Sequence, residues 1–177
     1  MLQINNNYFQ LFELSESFEL DLNSLAEKYR EMQVEVHPDR FANAGETEKL
    51  RAVQLTSFLN EAYGTLKSPL RRAGHLLGLH GRDVDQVSQS DLGAELLFEQ
   101  MQLREALDEL PDDESALPEL DKLKSAVSKK LADRQQNFAS NIDQGELDEA
   151  KKIFHEMQFL LKLLSEIEIG EEQRLGY

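Results

Sequence analysis

No cysteine occurs in the 177 residues. That removes disulfides, thiol chemistry and thiolate metal sites, and it fits the cytoplasm, the expected location. Long apolar runs are missing too: none approaches the roughly 20 residues needed to cross a bilayer. The first residues, Met1-Leu2-Gln3-Ile4-Asn5, have neither the basic and apolar segments of a secretory signal nor the arginines of a transit peptide. Catalytic signatures are equally scarce. There is no phosphate loop, no H-E-x-x-H and no nucleophile with a local base. The four histidines, His37, His75, His80 and His155, are scattered. His75 and His80 could weakly suggest a metal pair, but a spacing of five puts them on different helix faces, and surface positions are expected for both. The chain is therefore read as a non-enzyme with no cofactor.

Basic residues are in short supply. Lys and Arg number 19 against 34 Asp and Glu, a net charge of −15. Residues 1–75 carry a net −3 and residues 76–177 a net −12. Such a field repels nucleic acid and anionic membranes. It would favour a basic protein partner, although solubility alone accounts for it.

What is present is helical periodicity, with nothing that resembles a strand or an internal repeat. An aromatic-rich segment over 7–14 reads as a short helix. Asp21 is placed to cap the next helix, over 21–35, where Leu22, Leu25, Ala26, Tyr29, Met32 and Val36 form one apolar stripe. After Gly45 a complementary stripe of Ala52, Leu55, Leu59, Ala62 and Leu66 predicts a second helix to Lys67. Between them stands Val36-His37-Pro38-Asp39-Arg40. The residue before a proline is pushed out of the α region, and proline cannot continue the first helix. The expected product is a stiff polar corner between two antiparallel helices, presenting an imidazole and a carboxylate. On residues alone, a plain turn is the favoured description. Pro69 then opens a further short helix, with Leu76 and Leu77 on its apolar side.

The ordered pair of His37-Pro38-Asp39 and, on the following helix, Phe58-Leu59-Asn60-Glu61-Ala62-Tyr63-Gly64-Thr65-Leu66 resembles the J domain of DnaJ-type co-chaperones. The resemblance implies an Hsp70-binding surface made of His37, Pro38, Asp39 and Arg40, together with Lys28 and Arg30 on the preceding helix. Arg40 stands where a lysine is more frequent, and Glu27, Glu31 and Glu35 dilute the basic face. A selective Hsp70 contact that leans on the corner and on Arg40 is expected.

The expected organisation is a J domain over 1–78, a connection over 79–90 and a helical domain over 91–177. The connection is polar and could be free, or rigid if Leu76, Leu77 and Leu79 pack on the second domain. Three amphipathic helices, over 91–110, 118–142 and from Gly145 to about residue 169, argue for an antiparallel three-helix bundle. The fold class is thus all-α: an N-terminal helical hairpin with short flanking helices, then the bundle. On the first bundle helix, Leu92, Leu96, Leu103, Ala106, Leu107 and Leu110 form the expected core stripe. Leu97, Phe98 and Met101 fall outside it, with Glu105 in the same sector and Gln102 at its edge. On the third, Phe159 points roughly opposite Ala150, with Leu163 near it. These apolar side chains either pack on another helix or form an exposed patch of the kind that binds proteins.

A J domain joined to a short acidic three-helix domain, with no Gly/Phe-rich segment and no zinc modules, resembles the HscB/Hsc20 family of iron–sulfur cluster co-chaperones. Leu97-Phe98-Glu99-Gln100-Met101-Gln102-Leu103-Arg104-Glu105-Ala106-Leu107-Asp108-Glu109-Leu110 and the Phe159-Leu160 region carry the second half of that resemblance. It implies two partners for a monomeric chain: a specialised, HscA-like Hsp70 whose ATPase the J domain stimulates, and an IscU-like iron–sulfur cluster scaffold. The residues it assigns to the scaffold are Leu97, Phe98, Met101, Gln102, Glu105 and Phe159. Gln102 stands where the family more often has an acidic residue. Competing expectations are a J-domain adaptor for an unrelated client and a purely structural helical adaptor.

Overall fold

The computed structural model describes residues 7–88 and 91–176. Residues 1–5, where no targeting signal is expected, and Gln89 and Ser90 of the expected connection lie outside the described residues. All regular structure among the described residues is helical, and the chain divides into two compact units, Met1–Leu79 and His80–Tyr177.

The first unit is built on a hairpin of α2 (Leu22–Val36) and α3 (Glu46–Lys67). Asp21 opens α2 by accepting the N–H groups of Asn23 (2.9 Å) and Ser24 (3.3 Å). The Ser24 hydroxyl and those two N–H groups hold its carboxyl below the ordinary value, as expected for an anion at a helix N-terminus. Leu25 and Val36 are buried, as are Ala52, Leu59, Ala62 and Leu66 on α3. Leu22 is not: it sits in the first turn and stays half exposed. Tyr29 ties the hairpin midway, donating to Asn60 at 2.8 Å and stacking on Tyr63 at 4.0 Å.

The short α1 (Tyr8–Leu11) contributes the buried Phe9, with Phe12 just beyond it, and packs on α3. α4 (Pro69–Leu79) has proline in its first position and lies against α3. His75 of α4 departs from the expected surface placement. It is half-buried, stacks on Tyr8 at 4.3 Å and accepts the Tyr8 N–H through Nε2 at 3.1 Å. Burial lowers its pKa, against an opposing pull from Glu16.

The second unit is a three-helix bundle of α5 (Ala94–Asp108), α6 (Leu117–Gln144) and α7 (Leu147–Leu175). α6 and α7 form its long hairpin. The turn between them needs Gly145, whose φ of +77° suits a residue without Cβ; the Glu146 N–H then returns to the Asn141 carbonyl at 2.9 Å. Leu120, Val127, Phe138, Ala150, Met157, Leu160 and Ile167 fill the core. The described residues 80–88 belong to this unit and are tied to the start of α7. Arg82 pairs with Asp148 at 2.8 Å, and Lys151 donates to the Gln86 carbonyl and meets Asp91 at 3.2 Å.

Candidate functional site

The structure presents two separate candidate surfaces, one on each unit. At the corner, α2 stops at Val36 and His37 takes φ −58°, ψ 129°, the extended geometry that a following proline imposes. Pro38 then begins a 3₁₀ turn, Pro38–Phe41. The His37 Nδ1 accepts the Asp39 N–H at 3.3 Å and lies 3.6 Å from the Asp39 carboxylate. With Nδ1 accepting, the proton of the neutral ring resides on Nε2, the nitrogen left to donate outward. The Asp39 side chain is 91% exposed. Arg40 is exposed and donates to the Val34 carbonyl at 3.3 Å, which closes the last turn of α2. From α3, the Thr56 hydroxyl reaches the Val36 carbonyl at 3.1 Å and braces the corner from the side.

Along α2, the two expected basic residues have unequal positions. Arg30 is exposed. The Lys28 ammonium lies against Glu13, 3.2 Å from its carbonyl and 3.4 Å from its carboxylate. Part of its charge is therefore already answered within the chain.

In the second unit, Leu97, Phe98 and Met101 are 45%, 61% and 69% exposed. Gln102 and Glu105 are exposed beside them on the outer face of α5. Leu96 is buried, and Leu103 and Leu107 are half-buried, on the opposite face. Ala106, expected in the core stripe, is exposed because α5 is turned so that its seam runs through Leu96, Gln100, Leu103 and Leu107; Leu92, also expected there, precedes α5 and is exposed. Phe159 is half-buried on α7, and Leu163, expected near it either against another helix or in an exposed patch, is completely buried. The reason is that α7 has two neighbours. One side packs on α6. The side carrying Phe159 and, seven residues on, Glu166 is the one that α5 meets, because Glu166 holds Arg104 at 2.7 and 3.3 Å. The structure thus groups Leu97, Phe98, Met101, Gln102 and Glu105 on one helix face and sets Phe159 on the neighbouring helix.

Several residues that shape this region are not among the site residues expected from the sequence. Glu99 accepts from Lys130 at 2.5 Å and Arg134 at 3.3 Å, and Arg134 also pairs with Glu156. His155 is buried on α7, and its Nε2 has no hydrogen-bond partner among the described residues. Charges spaced three or four from Leu96 and Leu103 were the available sign of the first group. Asp91 is buried as well: burial works to raise its pKa, but hydrogen bonds from Ser88 and Lys151 outweigh it and hold the carboxyl low. Among the described residues, no group of three or more His, Cys, Asp or Glu is placed to hold a metal ion, and no helix is long and apolar enough to cross a membrane.

The bundle matches a family model described as the HSCB C-terminal oligomerisation domain over residues 92–168. The co-chaperone protein HscB homolog of Shewanella loihica is 40% identical over 169 residues, covering 94% of this chain and 98% of its own. The chain belongs to the HscB family of co-chaperones. Among solved structures, chaperone HscB from Vibrio cholerae superposes with a TM-score of 0.85 at 36% identity, covering 94% of this chain and 98% of its own. Human co-chaperone protein HscB gives 0.83 at 30% identity, over 92% and 81% of the two chains. The Jac1 co-chaperone of Saccharomyces cerevisiae, at 21% identity and a TM-score of 0.73, shares the fold. HscB membership accords with the J-domain hairpin followed by a three-helix bundle, and these relatives are named as chaperones and co-chaperones rather than as enzymes.

Proposed function

We infer that this HscB-family chain stimulates the ATPase of a specialised, HscA-like Hsp70 through its J domain and delivers an IscU-like iron–sulfur cluster scaffold to it. The observation that carries this reading is the coexistence of two accessible faces of opposite character. One is the carboxylate of Asp39 on a proline-stiffened corner; the other is the apolar face of Leu97, Phe98 and Met101 on α5.

Each face suits its partner by chemistry. Asp39 offers a charge-assisted contact to a basic group on the Hsp70, while Pro38 and the His37–Asp39 bond hold it ready before the encounter. Arg40 and Arg30 extend that surface with positive charge, and Lys28 supplies less because Glu13 shares it. The ATP chemistry belongs to the Hsp70. On the bundle, Phe98, Leu97 and Met101 bury against the scaffold, with Gln102 and Glu105 at the rim and Phe159 at the α5–α7 seam. Holding scaffold and Hsp70 on one chain raises the effective concentration of one beside the other. The chain works as a monomer in this reading, and sedimentation of the purified protein checks that.

The deciding experiment uses purified Hsp70 and scaffold. Asp39→Ala is expected to abolish ATPase stimulation and leave scaffold binding unchanged. Phe98→Ala combined with Phe159→Ala is expected to weaken scaffold binding and leave basal stimulation by the J domain unchanged. Full stimulation by the Asp39 variant, or full scaffold affinity in the double variant, defeats the corresponding half. Binding of an unrelated client in place of the scaffold would favour the general adaptor.

A further inference from the structure

The seam that docks α5 is narrow and carries a charge on each flank, Glu99 on one and Arg104 on the other, next to Leu97. Among the described residues of α5, Leu96 alone is buried, with Leu103 and Leu107 half-buried along the seam. Apolar burial has no preferred direction, so a seam this narrow does little to stop the helix turning about its own axis. Two ion pairs flank it. At 100° per residue, Glu99 lies about 60° to one side of Leu96 and Arg104 about 80° to the other. Glu99 reaches α6 through Lys130 and Arg134, at 2.5 and 3.3 Å. Arg104 reaches α7 through both oxygens of Glu166, at 2.7 and 3.3 Å. A forked guanidinium–carboxylate pair is directional in a way that apolar contact is not.

We propose that Glu99 and Arg104 are positioning residues: the two ion pairs act as rotational stops that fix α5 in the orientation presenting Leu97, Phe98 and Met101 to the scaffold. The proposal rests on the scaffold-binding reading given above. The geometry shows why the stops matter. A turn of about 40° carries the edge of a helix of about 5–6 Å radius roughly 4 Å around its circumference. That is enough to move Phe98 out of a partner's pocket while α5 stays helical and docked. A pair on one flank alone would act as a hinge. Pairs on both flanks, made to different helices, oppose rotation in either sense.

Exchanging the charges of one pair tests this. Arg104→Glu, Glu166→Arg and the double exchange are made in the full chain, with Phe98→Ala as a control on the surface itself. Scaffold affinity is measured by titration, and amide hydrogen exchange is followed residue by residue. Each single variant is expected to lose about tenfold in scaffold affinity and to exchange about tenfold faster over 97–105, with α6–α7 amides unchanged. The double variant is expected to return to within about threefold of the parent in both measurements. Persistent weakness in the double variant would mean that Arg104 touches the scaffold directly, which overturns the positioning role. Single variants that bind and exchange like the parent overturn it too, provided that Phe98→Ala weakens binding. If Phe98→Ala has no effect, the scaffold reading is what fails, and exchange over 97–105 alone decides the stops: unchanged rates in the single variants refute them. Faster exchange throughout the bundle would show a general loss of stability instead, and also refutes them.

Discussion

The corner and the α5 face are held by contacts of very different reach. At the corner, the His37–Asp39 bond spans two residues, the Arg40–Val34 bond six, and the longest brace, Thr56 to Val36, twenty. The α5 face depends on Lys130, Arg134 and Glu166, which lie 31, 35 and 62 residues from their partners. One surface is shaped mostly by its own stretch of chain; the other is aimed by helices that must first fold around it. Changes at the corner should therefore act on function with little effect on the fold, whereas changes near α5 can act through either.

The largest expected effect separates these cases most sharply. Asp39→Ala should abolish Hsp70 ATPase stimulation while shifting the stability of the first unit by no more than about 0.5 kcal/mol, because the side chain is almost wholly exposed. A drop in melting temperature of several degrees would show that the corner supports the hairpin. On the bundle, Leu163→Ala should destabilise by about 2–5 kcal/mol, since Leu163 is fully buried. Phe98→Ala should cost about 1–3 kcal/mol of scaffold binding and leave urea unfolding unchanged. Similar unfolding curves for Leu163→Ala and Phe98→Ala would erase the distinction between core and surface in this region.

The same contrast of reach explains what could be read in advance. The hairpin, its stripes, the Asp21 cap, the proline corner and the count of bundle helices all follow from patterns within a few turns of chain. Leu97, Phe98 and Met101 were legible as an excess of apolar residues outside a stripe, and they are exposed. Ala106 is not in the core stripe where the pattern puts it, and the pattern leaves Leu163 between two alternatives, because a helix wheel shows how wide an apolar arc is, but not how many neighbours share it. Once α5 covers the second side of α7, Leu163 goes inside; once Glu99 and Arg104 fix the seam, Ala106 turns out. His75 was misread for a similar reason: its partner, Tyr8, lies 67 residues away.

That pairing allows one further test of how far the corner is independent of its surroundings. His75 accepts the Tyr8 N–H through Nε2, and burial depresses its pKa. The folded unit therefore holds the ring neutral where the unfolded chain, with a value near 6.5, begins to take up a proton. As pH falls below about 6.5, the unfolded state binds more protons than the folded one, so stability declines until the depressed folded pKa is passed. Protonation at Nε2 also abolishes the acceptor, which loosens α1 in particular. Glu16 pulls the other way and limits the effect. Protection of the Tyr8 amide, its exchange rate taken relative to the intrinsic rate at each pH, should fall between pH 6.5 and pH 5, while protection at Asp39 stays constant, and His75→Phe should remove the pH dependence of protection at Tyr8. If protection at Asp39 falls in step with that at Tyr8, the corner is coupled to α1 across the hairpin and is less local than its own hydrogen bonds imply.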